Sequence, residues 1–324
     1  MKILVTGGSG FIGTNLMEYY LSKGVEAINL STDPPKNPEH KSYWRKVNIL
    51  DSEGLRAEVA SFSPSHIISL AAQTGTIDTG RTLEYYAANF HGLRNLVEIA
   101  KDTPSLKRLI STSSMLVCKN DYQPQNETDY CPDTLYGQSK VLGEKVMREA
   151  GDLPYSWVIV RPTGIWGPWF EAPYTTLFRL IQRGLYVQPA NNRPVQSLGF
   201  VGNTVYQFDT LMQAPQQKVH GKTFYLADYP ATNMWEWTAL VQKAFKARRI
   251  REVPIWALKA VAKAGDAMQL VGWSNPPLFT SRLHNLMRSY VFDLDPLITE
   301  DLPYTLEQAV EITIDWISKN QTQH

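Results

Sequence analysis

A glycine-rich turn between an apolar run and an amphipathic stretch constrains the fold more than any other feature of this chain. Residues 2–6 (KILVT) have the composition of a short buried strand, and residues 7–13 read GGSGFIG. The stretch TNLMEYYLSKG at 14–24 then places apolar residues at helical spacing and ends at a glycine. This order predicts a strand, a tight turn and a helix whose N-terminus can bind an anion.

Strand-like and helix-like runs continue to alternate beyond this first unit. The further predicted strands are VEAINL (25–30), HIISLAA (66–72), LKRLIST (106–112), YSWVIV (155–160) and KTFYLA (222–227), and the predicted helices cover 83–101, 136–150, 233–246, 254–271 and 305–319. Such alternation is typical of a parallel sheet with helices on both faces. The predicted fold is therefore α/β, a Rossmann-type doubly wound parallel sheet with a smaller α-rich C-terminal substrate lobe.

The pattern loosens after Pro162, where prolines, glycines and tryptophans become frequent. We therefore assign residues 1–162 to an NAD(P)-binding Rossmann domain. Residues 163–324 are assigned mainly to a substrate-binding lobe, from which some segments return to the Rossmann sheet. The run at 222–227 is one such segment, because its composition is that of a further sheet strand.

Composition and charge exclude several classes of function. The chain is 43% hydrophobic and has a formal net charge of +1, which is typical of a globular protein and not of a nucleic-acid-binding protein. It has two cysteines without the spacing of a metal site, so we expect no metal and no disulfide. This usage fits a cytoplasmic protein. The apolar start is too short for a signal peptide.

One later stretch is apolar enough to raise the question of a membrane span. The run VPIWALKAVAKAGDAMQLVG at 253–272 is interrupted by Lys259, Lys263 and Asp266. A spanning helix needs about 20 mostly apolar residues without such breaks, so no span is predicted. A helix that lies on a membrane surface would tolerate these charges, but we prefer a helix packed on its own domain.

The glycines of the turn form the pattern GxGxxG at Gly8, Gly10 and Gly13. Glycine permits positive φ in a tight turn and lets a pyrophosphate approach the backbone closely. A plain βα turn is the alternative, which the setting between a strand and a helix disfavours. The expected cofactor contacts in this turn are Gly7, Gly10, Phe11, Ile12 and Gly13.

The end of the second predicted strand bears on the choice between NAD and NADP. An acidic residue about 20 residues beyond the turn usually binds the ribose 2′-hydroxyl. Here Ser31 follows the predicted strand directly, and Asp33 lies two residues further on. A serine does not repel a 2′-phosphate, so NAD and NADP both stay open, with a slight preference for NADP. NAD is the cofactor if Asp33 reaches back to the ribose.

Tyr136 and Lys140 in LYGQSK (135–140) are candidates for proton transfer. Their i, i+4 spacing places both side chains on one face of a helix. A neighbouring ammonium and a cationic nicotinamide favour the phenolate, so we expect the pKa of Tyr136 to fall below its usual value of about 10. Tyr136 is then the proton donor and acceptor, and Lys140 also holds the nicotinamide ribose.

Taken together, these features resemble the extended short-chain dehydrogenase/reductases of the NAD-dependent epimerase/dehydratase family. The resemblance covers nearly the whole chain, through TGGSGFIG (6–13), NILD (48–51), LAAQTG (70–75), Asn89 in YAANFHGLRNLVE, RPTGIWGP (161–168) and LGFVGNTV (198–205). It implies a Rossmann fold, an NAD(P) cofactor and a small-molecule substrate. Members of the family often form homodimers, which nothing in this sequence tests.

The resemblance also implies roles for individual residues. The family's catalytic serine or threonine corresponds to Ser114, with Ser113 as the neighbouring candidate, so the expected catalytic residues are Ser114, Tyr136 and Lys140. Beyond the turn, the expected cofactor contacts are Ser31, Asn48, Ile49, Leu70, Ala71, Ala72, Asn89, Tyr136, Lys140 and Pro162. The expected substrate contacts are Gln73, Ser113, Ser114, Thr163 and Gln196.

Met115 and Leu116 restrict the reaction. An Asp-Glu pair follows the serine or threonine in the family's 4,6-dehydratases, where it eliminates water, and a cysteine stands at the first of these places in its 3,5-epimerase/reductases. Neither Met115 nor Leu116 can transfer a proton. The resemblance therefore implies hydride transfer on a nucleotide-sugar, as a 4-epimerase or a 4-ketoreductase and not as a 4,6-dehydratase.

Two other functions stay open. RPTGIWGPW (161–169) and FTSRLHNLM (279–287) also resemble the 3β-hydroxysteroid dehydrogenase branch, which handles apolar alcohols. Gly164 and Gln196 stand where nucleotide-sugar enzymes often carry Asn and Arg, which supports this alternative. The second alternative is a nucleotide-binding regulator without catalysis. Such proteins typically lack the tyrosine or the lysine, and both are present here.

Overall fold

The structure is a computed structural model that describes residues 1–75, 80–119, 122–270, 272–273, 276 and 278–320. The chain divides into two compact units. Unit 1 comprises Met1–Ile165, Gly199–Ala227 and Asp293–Pro303, and unit 2 comprises Trp166–Leu198, Asp228–Phe292 and the chain from Tyr304 onward. Two segments from beyond the boundary predicted at residue 162 thus belong to unit 1.

The strands of the described chain are short and follow one another at intervals that helices fill. They are β1 (Lys2–Thr6), β2 (Glu26–Ser31), β3 (Trp44–Lys46), β4 (His66–Ser69), β5 (Arg108–Thr112), β6 (Ser156–Pro162), β7 (Gly164–Trp166), β8 (Val187–Pro189), β9 (Val195–Gln196), β10 (Leu198–Phe200), β11 (Thr223–Leu226), β12 (Thr232–Asn233) and β13 (Arg251–Val253).

The α-helices vary from a single turn to more than four turns. They are α1 (Phe11–Ser22), α2 (Ser52–Phe62), α3 (His91–Lys101), α4 (Leu135–Arg148), α5 (Tyr174–Gln182), α6 (Val201–Gln213), α7 (Gln216–Val219), α8 (Met234–Ala244), α9 (Ile255–Leu270), α10 (Thr280–Met287), α11 (Pro296–Thr299) and α12 (Leu306–Asn320). Short 3₁₀ helices cover Pro38–Tyr43, Leu83–Asn89 and Met115–Val117.

Unit 1 contains a seven-stranded sheet in the order β11-β6-β5-β4-β1-β2-β3. Every neighbouring pair is parallel, and Val5 of β1 lies opposite Asn29 of β2 and Ile68 of β4. The chain winds outward from β1 to β3 on one side and from β4 to β11 on the other. The strand order therefore reverses between β1 and β4, and ligands of open α/β sheets bind beyond the carboxyl ends of strands at such a point.

Alternate residues of β1 explain why helices cover the sheet on both faces. Ile3 and Val5 join an apolar cluster with Leu16 of α1 and Phe208 of α6. Leu4 points the other way and joins a cluster built with α2, α3 and α4. A strand that is buried on both faces needs such a continuous apolar sequence. The prediction of a doubly wound α/β fold is confirmed.

The predicted helix at 83–101 is wrong in one respect, because the structure divides it. Leu83–Asn89 form a 3₁₀ helix, and α3 begins at His91. Phe90 between them has φ −132° and ψ −45°, which is outside the helical region. This break turns the chain at Asn89, a residue of the candidate site.

Unit 2 has an aromatic core. The ring centroid of Trp166 lies 6.0 Å from that of Phe178 and 5.1 Å from that of Trp237, and all three side chains are buried. A second cluster joins α9 to α10 through Leu258 and Leu283. No helix in the described part of the chain has the length and apolarity needed to cross a bilayer.

Candidate active site

Three of the four glycines of the turn after β1, Gly7, Gly10 and Gly13, meet different surroundings. Gly7 has φ +76°, and a Cβ there would lie 2.6 Å from the backbone nitrogen of Ala71. A Cβ at Gly13 would lie 2.4 Å from the carbonyl oxygen of Gly7. The protein's own packing therefore requires glycine at both positions. At Gly10, by contrast, a Cβ would meet only the Gly7 carbonyl oxygen among the described atoms, at 3.3 Å.

The N-terminus of α1 opens beside Gly10. Gly10 is the N-cap residue, no described side chain caps this end, and the first turn holds no acidic residue. The Thr14 hydroxyl donates to the Gly10 carbonyl oxygen at 2.8 Å, which fixes the turn. A helix N-terminus without a capping side chain, next to a glycine that the internal packing does not explain, fits a pyrophosphate. The turn thus has the properties of a dinucleotide cradle.

Ser31 lies under this turn. It is the last residue of β2, whereas the sequence placed it just after the strand, and it is buried. Its hydroxyl donates to the Asn29 side-chain oxygen at 2.7 Å and accepts from the Ser9 backbone N–H at 3.3 Å. Ser31 therefore supports the glycine turn, and a contact to the ribose stays a prediction. The side chain of Asp33 is exposed.

The other predicted cofactor residues of this region also follow strand ends. Leu70, Ala71 and Ala72 come directly after β4, and all are partly buried. Asn48 and Ile49 follow β3, where Asn48 is exposed and Ile49 is buried. In a parallel sheet these carboxyl ends share one edge with the glycine turn, so the topology brings the predicted residues together.

Asn89 holds the segment after β4 in place. Its side-chain oxygen accepts from the Gln73 N–H at 2.8 Å, and its amide nitrogen donates to the Gln73 carbonyl oxygen at 3.0 Å. The same nitrogen lies 2.8 Å from the hydroxyl of Ser139 on α4. Gln73 itself is exposed at the predicted substrate side. Asn89 is therefore a positioning residue here, and its contact with a cofactor stays a prediction.

The hydroxyls of Ser114 and Tyr136 meet where α4 begins. Thr134 caps this helix by accepting from the Gly137 N–H at 3.0 Å. A Cβ at Gly137 would lie 2.2 Å from the Leu116 carbonyl oxygen, so the first turn of α4 is pressed against the 3₁₀ helix that Ser114 caps. The Ser114 hydroxyl lies near enough to the phenol of Tyr136 to lower its pKa. The structure thus brings together two of the three predicted catalytic residues.

Lys140 lies one helical turn beyond Tyr136. Its ammonium donates to the Thr112 carbonyl oxygen at 2.9 Å and lies 5.8 Å from the centroid of the Tyr136 ring. Both side chains are buried. The i, i+4 spacing places Tyr136 and Lys140 on one side of α4, and Ser114 follows β5 closely. All three catalytic candidates therefore lie around the end of β5.

Burial controls the titration of this pair. It raises the pKa of Tyr136 to about 12, which the hydrogen bond from Ser114 opposes. It lowers the pKa of Lys140 to about 8, which the carboxylate of Glu144 opposes. The predicted fall in the Tyr136 pKa is therefore not found in the chain alone, since desolvation of the phenolate outweighs the effect of Ser114.

A buried ion pair that the sequence analysis missed lies behind the site. Glu144 receives two hydrogen bonds from the guanidinium of Arg161, at 2.8 and 2.7 Å, and one from the Tyr130 hydroxyl at 2.9 Å. It also stands four residues after Lys140 on α4. That spacing was the available signal, because it places a carboxylate next to the lysine on one helix face.

Ser113 contacts this ion pair. Its hydroxyl donates to Glu144 at 2.5 Å. Ser113 and Ser114 thus use their hydroxyls for different purposes, and only Ser114 contacts Tyr136. The sequence does not separate the two serines, whereas in the structure Ser114 is the one beside Tyr136. It gives the substrate contact predicted for Ser113 no support, because the Ser113 hydroxyl is directed at Glu144.

The predicted substrate residues Thr163 and Gln196 both donate to backbone carbonyl oxygens. Pro162 ends β6, and the hydroxyl of the next residue, Thr163, donates to the Leu226 carbonyl oxygen at 3.0 Å. Gln196 is buried in unit 2, where its amide nitrogen donates to the carbonyl oxygens of Asn285 and Arg288 at 3.1 and 2.8 Å. These bonds occupy the donors of Gln196 within its own unit, which differs from the substrate contact predicted for it.

Comparison with known proteins gives the following relatives. A profile of the NAD dependent epimerase/dehydratase family matches residues 3–227. A 3-beta-hydroxysteroid dehydrogenase of Mycolicibacterium neoaurum is 26% identical over 72% of this chain and 68% of its own length. An N-acetyl-alpha-D-glucosaminyl-diphospho-ditrans,octacis-undecaprenol 4-epimerase of Escherichia coli O157:H7 is 24% identical over 97% of this chain and 95% of its own length.

Solved structures show the same fold. The UDP-glucose 4-epimerase of Thermotoga maritima with UDP-glucose superposes with a TM-score of 0.75 at 19% identity, covering 99% of this chain and 100% of that chain. The UDP-glucose 4-epimerase of Thermus thermophilus in complex with NAD gives a TM-score of 0.71 at 20% identity, covering 98% of this chain and 99% of that chain.

Proposed function

The chain belongs to the NAD-dependent epimerase/dehydratase family, and on this premise we propose that it catalyses hydride transfer at C4 of a nucleotide-sugar. The reaction is a 4-epimerisation or a 4-ketoreduction. The observation that carries the proposal is the set of Ser114, Tyr136 and Lys140, buried together at the end of β5, with two apolar residues directly after the serine. Tyr136 and Lys140 are also the residues that a purely regulatory member would be expected to lack.

Each side chain has a definite task in this proposal. The phenolate form of Tyr136 takes the proton of the C4 hydroxyl group during oxidation, and the phenol returns a proton during reduction. Ser114 hydrogen-bonds both Tyr136 and the substrate oxygen. Lys140 holds positive charge near the phenol and binds the nicotinamide ribose. Bound NAD(P) would supply the hydride chemistry, and its oxidised form would favour the phenolate of Tyr136.

Met115 and Leu116 set the limit of the reaction. Elimination of water from a 4-keto-sugar needs an acid and a base beside the sugar ring. Met115 is buried and Leu116 half-buried in the 3₁₀ helix that starts after Ser114, and neither side chain can exchange a proton. We therefore propose that the enzyme does not catalyse 4,6-dehydration.

The cofactor is NAD or NADP. The family is NAD-dependent, and the glycine cradle with its helix N-terminus fits the pyrophosphate of either cofactor. The uncharged Ser31 supports a slight preference for NADP, because no carboxylate follows β2 directly. Fluorescence titration with NADH and NADPH tests this preference, and much tighter binding of NADH would assign the ribose to Asp33.

The state of the two cysteines bears on the cellular compartment. Cys118 and Cys131 are both free, which supports a reducing compartment, and we propose the cytoplasm.

A 3β-hydroxysteroid dehydrogenase-like reaction is the second candidate. Its support is the relative of that name from Mycolicibacterium neoaurum, which is 26% identical to this chain. The aromatic core of unit 2 gives it no support. Trp166, Phe178 and Trp237 are buried against one another, so they form a core in unit 2 instead of an open apolar surface.

A substrate panel distinguishes these functions. The protein is incubated with NAD(H) or NADP(H) and with UDP-, GDP- and dTDP-sugars and their 4-keto forms, and with 3β-hydroxysteroids in parallel. Products are followed by chromatography and by the absorbance of the reduced cofactor. We expect turnover of at least one nucleotide-sugar. Turnover of steroids with no turnover of sugars would replace the proposal with the second candidate, and a folded, cofactor-bound protein without turnover would favour a regulator.

A further inference from the structure

Helix α9 of unit 2 has a buried apolar side and a second, exposed apolar side. The buried side packs on the rest of the unit, where Leu258 and Ala262 join the cluster with α10. The exposed apolar side bears Trp256, Val261 and Met268, which lie within an arc of about 140° and have exposed fractions of 74%, 56% and 40%. An apolar helix face normally packs against another body. The outer face of α9 therefore has the character of a surface that another body covers.

Tryptophan stands at both ends of this face. Trp256 lies in the first turn of α9, and Trp273, which follows the helix, is 53% exposed. Between them Met268 is also exposed. Indole rings combine an apolar body with a polar N–H group, and for this reason they concentrate where a membrane meets water.

The chain around this face is strongly basic although the whole protein has a net charge of only +1. Seven cationic side chains, all exposed, occur between residues 243 and 263, with a single acidic residue among them. They are Lys243, Lys246, Arg248, Arg249, Arg251, Lys259 and Lys263. Their positive charge is complementary to an anionic surface.

The acidic residues of the region bind within unit 2. Glu252 accepts from the guanidinium of Arg193 at 3.0 Å. Asp266, the acidic residue of α9, accepts from the Thr280 N–H at 2.9 Å at the start of α10. Lys259 and Lys263, by contrast, stand on the exposed side of α9 close to Trp256 in helical register. The outer face thus combines apolar side chains with flanking cations.

We propose that the outer face of α9 and the basic stretch 243–263 dock unit 2 onto an anionic lipid surface. α9 has 16 residues and lies in the plane of the interface, with Trp256 and Val261 between the headgroups and acyl chains. Lys259 and Lys263 place their ammonium groups among the lipid phosphates. A nucleic acid would explain the cations but not the exposed apolar residues, and a second copy of this chain, which carries the same cations, would bring like charges together.

Vesicle flotation with the full chain tests the proposal. Vesicles of phosphatidylcholine alone are compared with vesicles that also contain phosphatidylglycerol, at low and high salt. We expect binding to the anionic vesicles that weakens as salt rises. The double variant Trp256→Glu/Val261→Glu should bind at least roughly tenfold more weakly, because it places two charges in the apolar face. Tyr43→Glu changes a 39% exposed residue of unit 1 and is the matched control, with binding unchanged.

A second pair of variants tests the cations. Lys259→Gln/Lys263→Gln should weaken binding to anionic vesicles by about fivefold for each lysine removed. Lys145→Gln/Lys218→Gln removes the same charge from exposed positions of unit 1 and should leave binding unchanged. Thermal melting confirms that all variants fold, and neither pair includes a residue of the candidate active site.

Four results would overturn the proposal. The first is a wild-type protein that binds no vesicles at either salt concentration. The second is unchanged binding by Trp256→Glu/Val261→Glu. The third is a wild-type dimer in analytical ultracentrifugation that this double variant dissociates, without vesicle binding, which would assign the face to a second copy. RNA or DNA binding in place of vesicle binding would likewise assign the cations to a nucleic acid. None of these results depends on the proposed reaction.

Discussion

The guanidinium of Arg161 lies 2.7 Å from the carboxylate of Glu144, and both side chains are almost completely buried behind the catalytic residues. The Ser113 hydroxyl and the Tyr130 hydroxyl donate to the same carboxylate. A buried ion pair of this kind contributes little over an apolar pair while it is intact, but removal of one partner leaves an unpaired buried charge. The charge pair thus ties β6, which bears Arg161, to α4.

We therefore expect Glu144→Ala to destabilise the protein by about 3–5 kcal/mol, because Arg161 is left without its partner. Urea unfolding measures the change in the free energy of unfolding. Glu149→Ala, at an exposed position after the same helix, is the control and should change it by well under ~1 kcal/mol. Similar small changes for both variants would show that the ion pair does not hold α4 to the sheet.

The buried ammonium of Lys140 predicts a specific dependence of stability on pH. Its pKa falls from the ordinary 10.5 to about 8 in the folded chain, chiefly because of burial. Between these two values the unfolded chain binds a proton that the folded chain does not, so stability rises with pH in this window. Burial of the charged Lys140 destabilises the folded protein fully below pH of about 8. As the pH rises toward 10.5, the free energy of unfolding increases by an amount on the order of 3 kcal/mol.

Comparison of the wild type with Lys140→Met isolates this effect. The free energy of unfolding of the wild type should rise relative to the variant between pH 8 and pH 10, whereas Tyr136 titrates in both proteins and cancels. Lys145→Met, on the exposed side of the same helix, should show no such slope. A difference that stays constant over this pH range would mean that the ammonium keeps an ordinary pKa.

The surroundings of the turn glycines predict opposite outcomes for two similar substitutions. Gly10→Val should fold, because little but the Gly7 carbonyl lies near its Cβ, but it should weaken cofactor binding by roughly tenfold or more through steric exclusion of the pyrophosphate. Gly13→Val should fail to fold stably, because its Cβ collides with backbone. Circular dichroism and NADH titration measure both effects. Normal cofactor affinity in a folded Gly10→Val variant would show that the cofactor does not bind at this turn.

Tyr136→Phe should lower kcat by roughly 10²–10⁴-fold, since only the proton-transferring hydroxyl is lost. Cofactor affinity should stay unchanged, because the ring remains in place. Tyr85→Phe removes a hydroxyl from a nearby exposed ring and should keep full activity. Full activity of Tyr136→Phe on a substrate that the wild type converts would contradict the assigned role of the phenol.

Much of the fold could be predicted because its signals are local. The apolar strands, the glycine turn and the spacing of Tyr136 and Lys140 are each contained in a short stretch of sequence. Helices α2 and α6 gave no such signal. Two buried apolar residues of α2, Leu55 and Val59, are too few for a clear period, and α6 buries polar residues such as Gln207 among its apolar ones.

The finer arrangement of the site depends on contacts between distant segments. The direction of the Ser113 hydroxyl is set by Glu144, 31 residues further along the chain. The pKa of Tyr136 is set by how completely the folded chain excludes water, which no spacing of residues reveals. Gln196 was expected at the substrate on the strength of the resemblance, and the structure directs its amide to the backbone of unit 2.

The central claim is hydride transfer at C4 without elimination of water, and one measurement tests it most directly. The nucleotide-sugar panel is run in D₂O with the bound or added cofactor, and the products are analysed by mass spectrometry and NMR. The account predicts a product that is inverted or reduced at C4 and carries no carbon-bound deuterium from the solvent, because Met115 and Leu116 cannot exchange protons with the ring carbons. Loss of water, or deuterium at C3, C5 or C6, would contradict it.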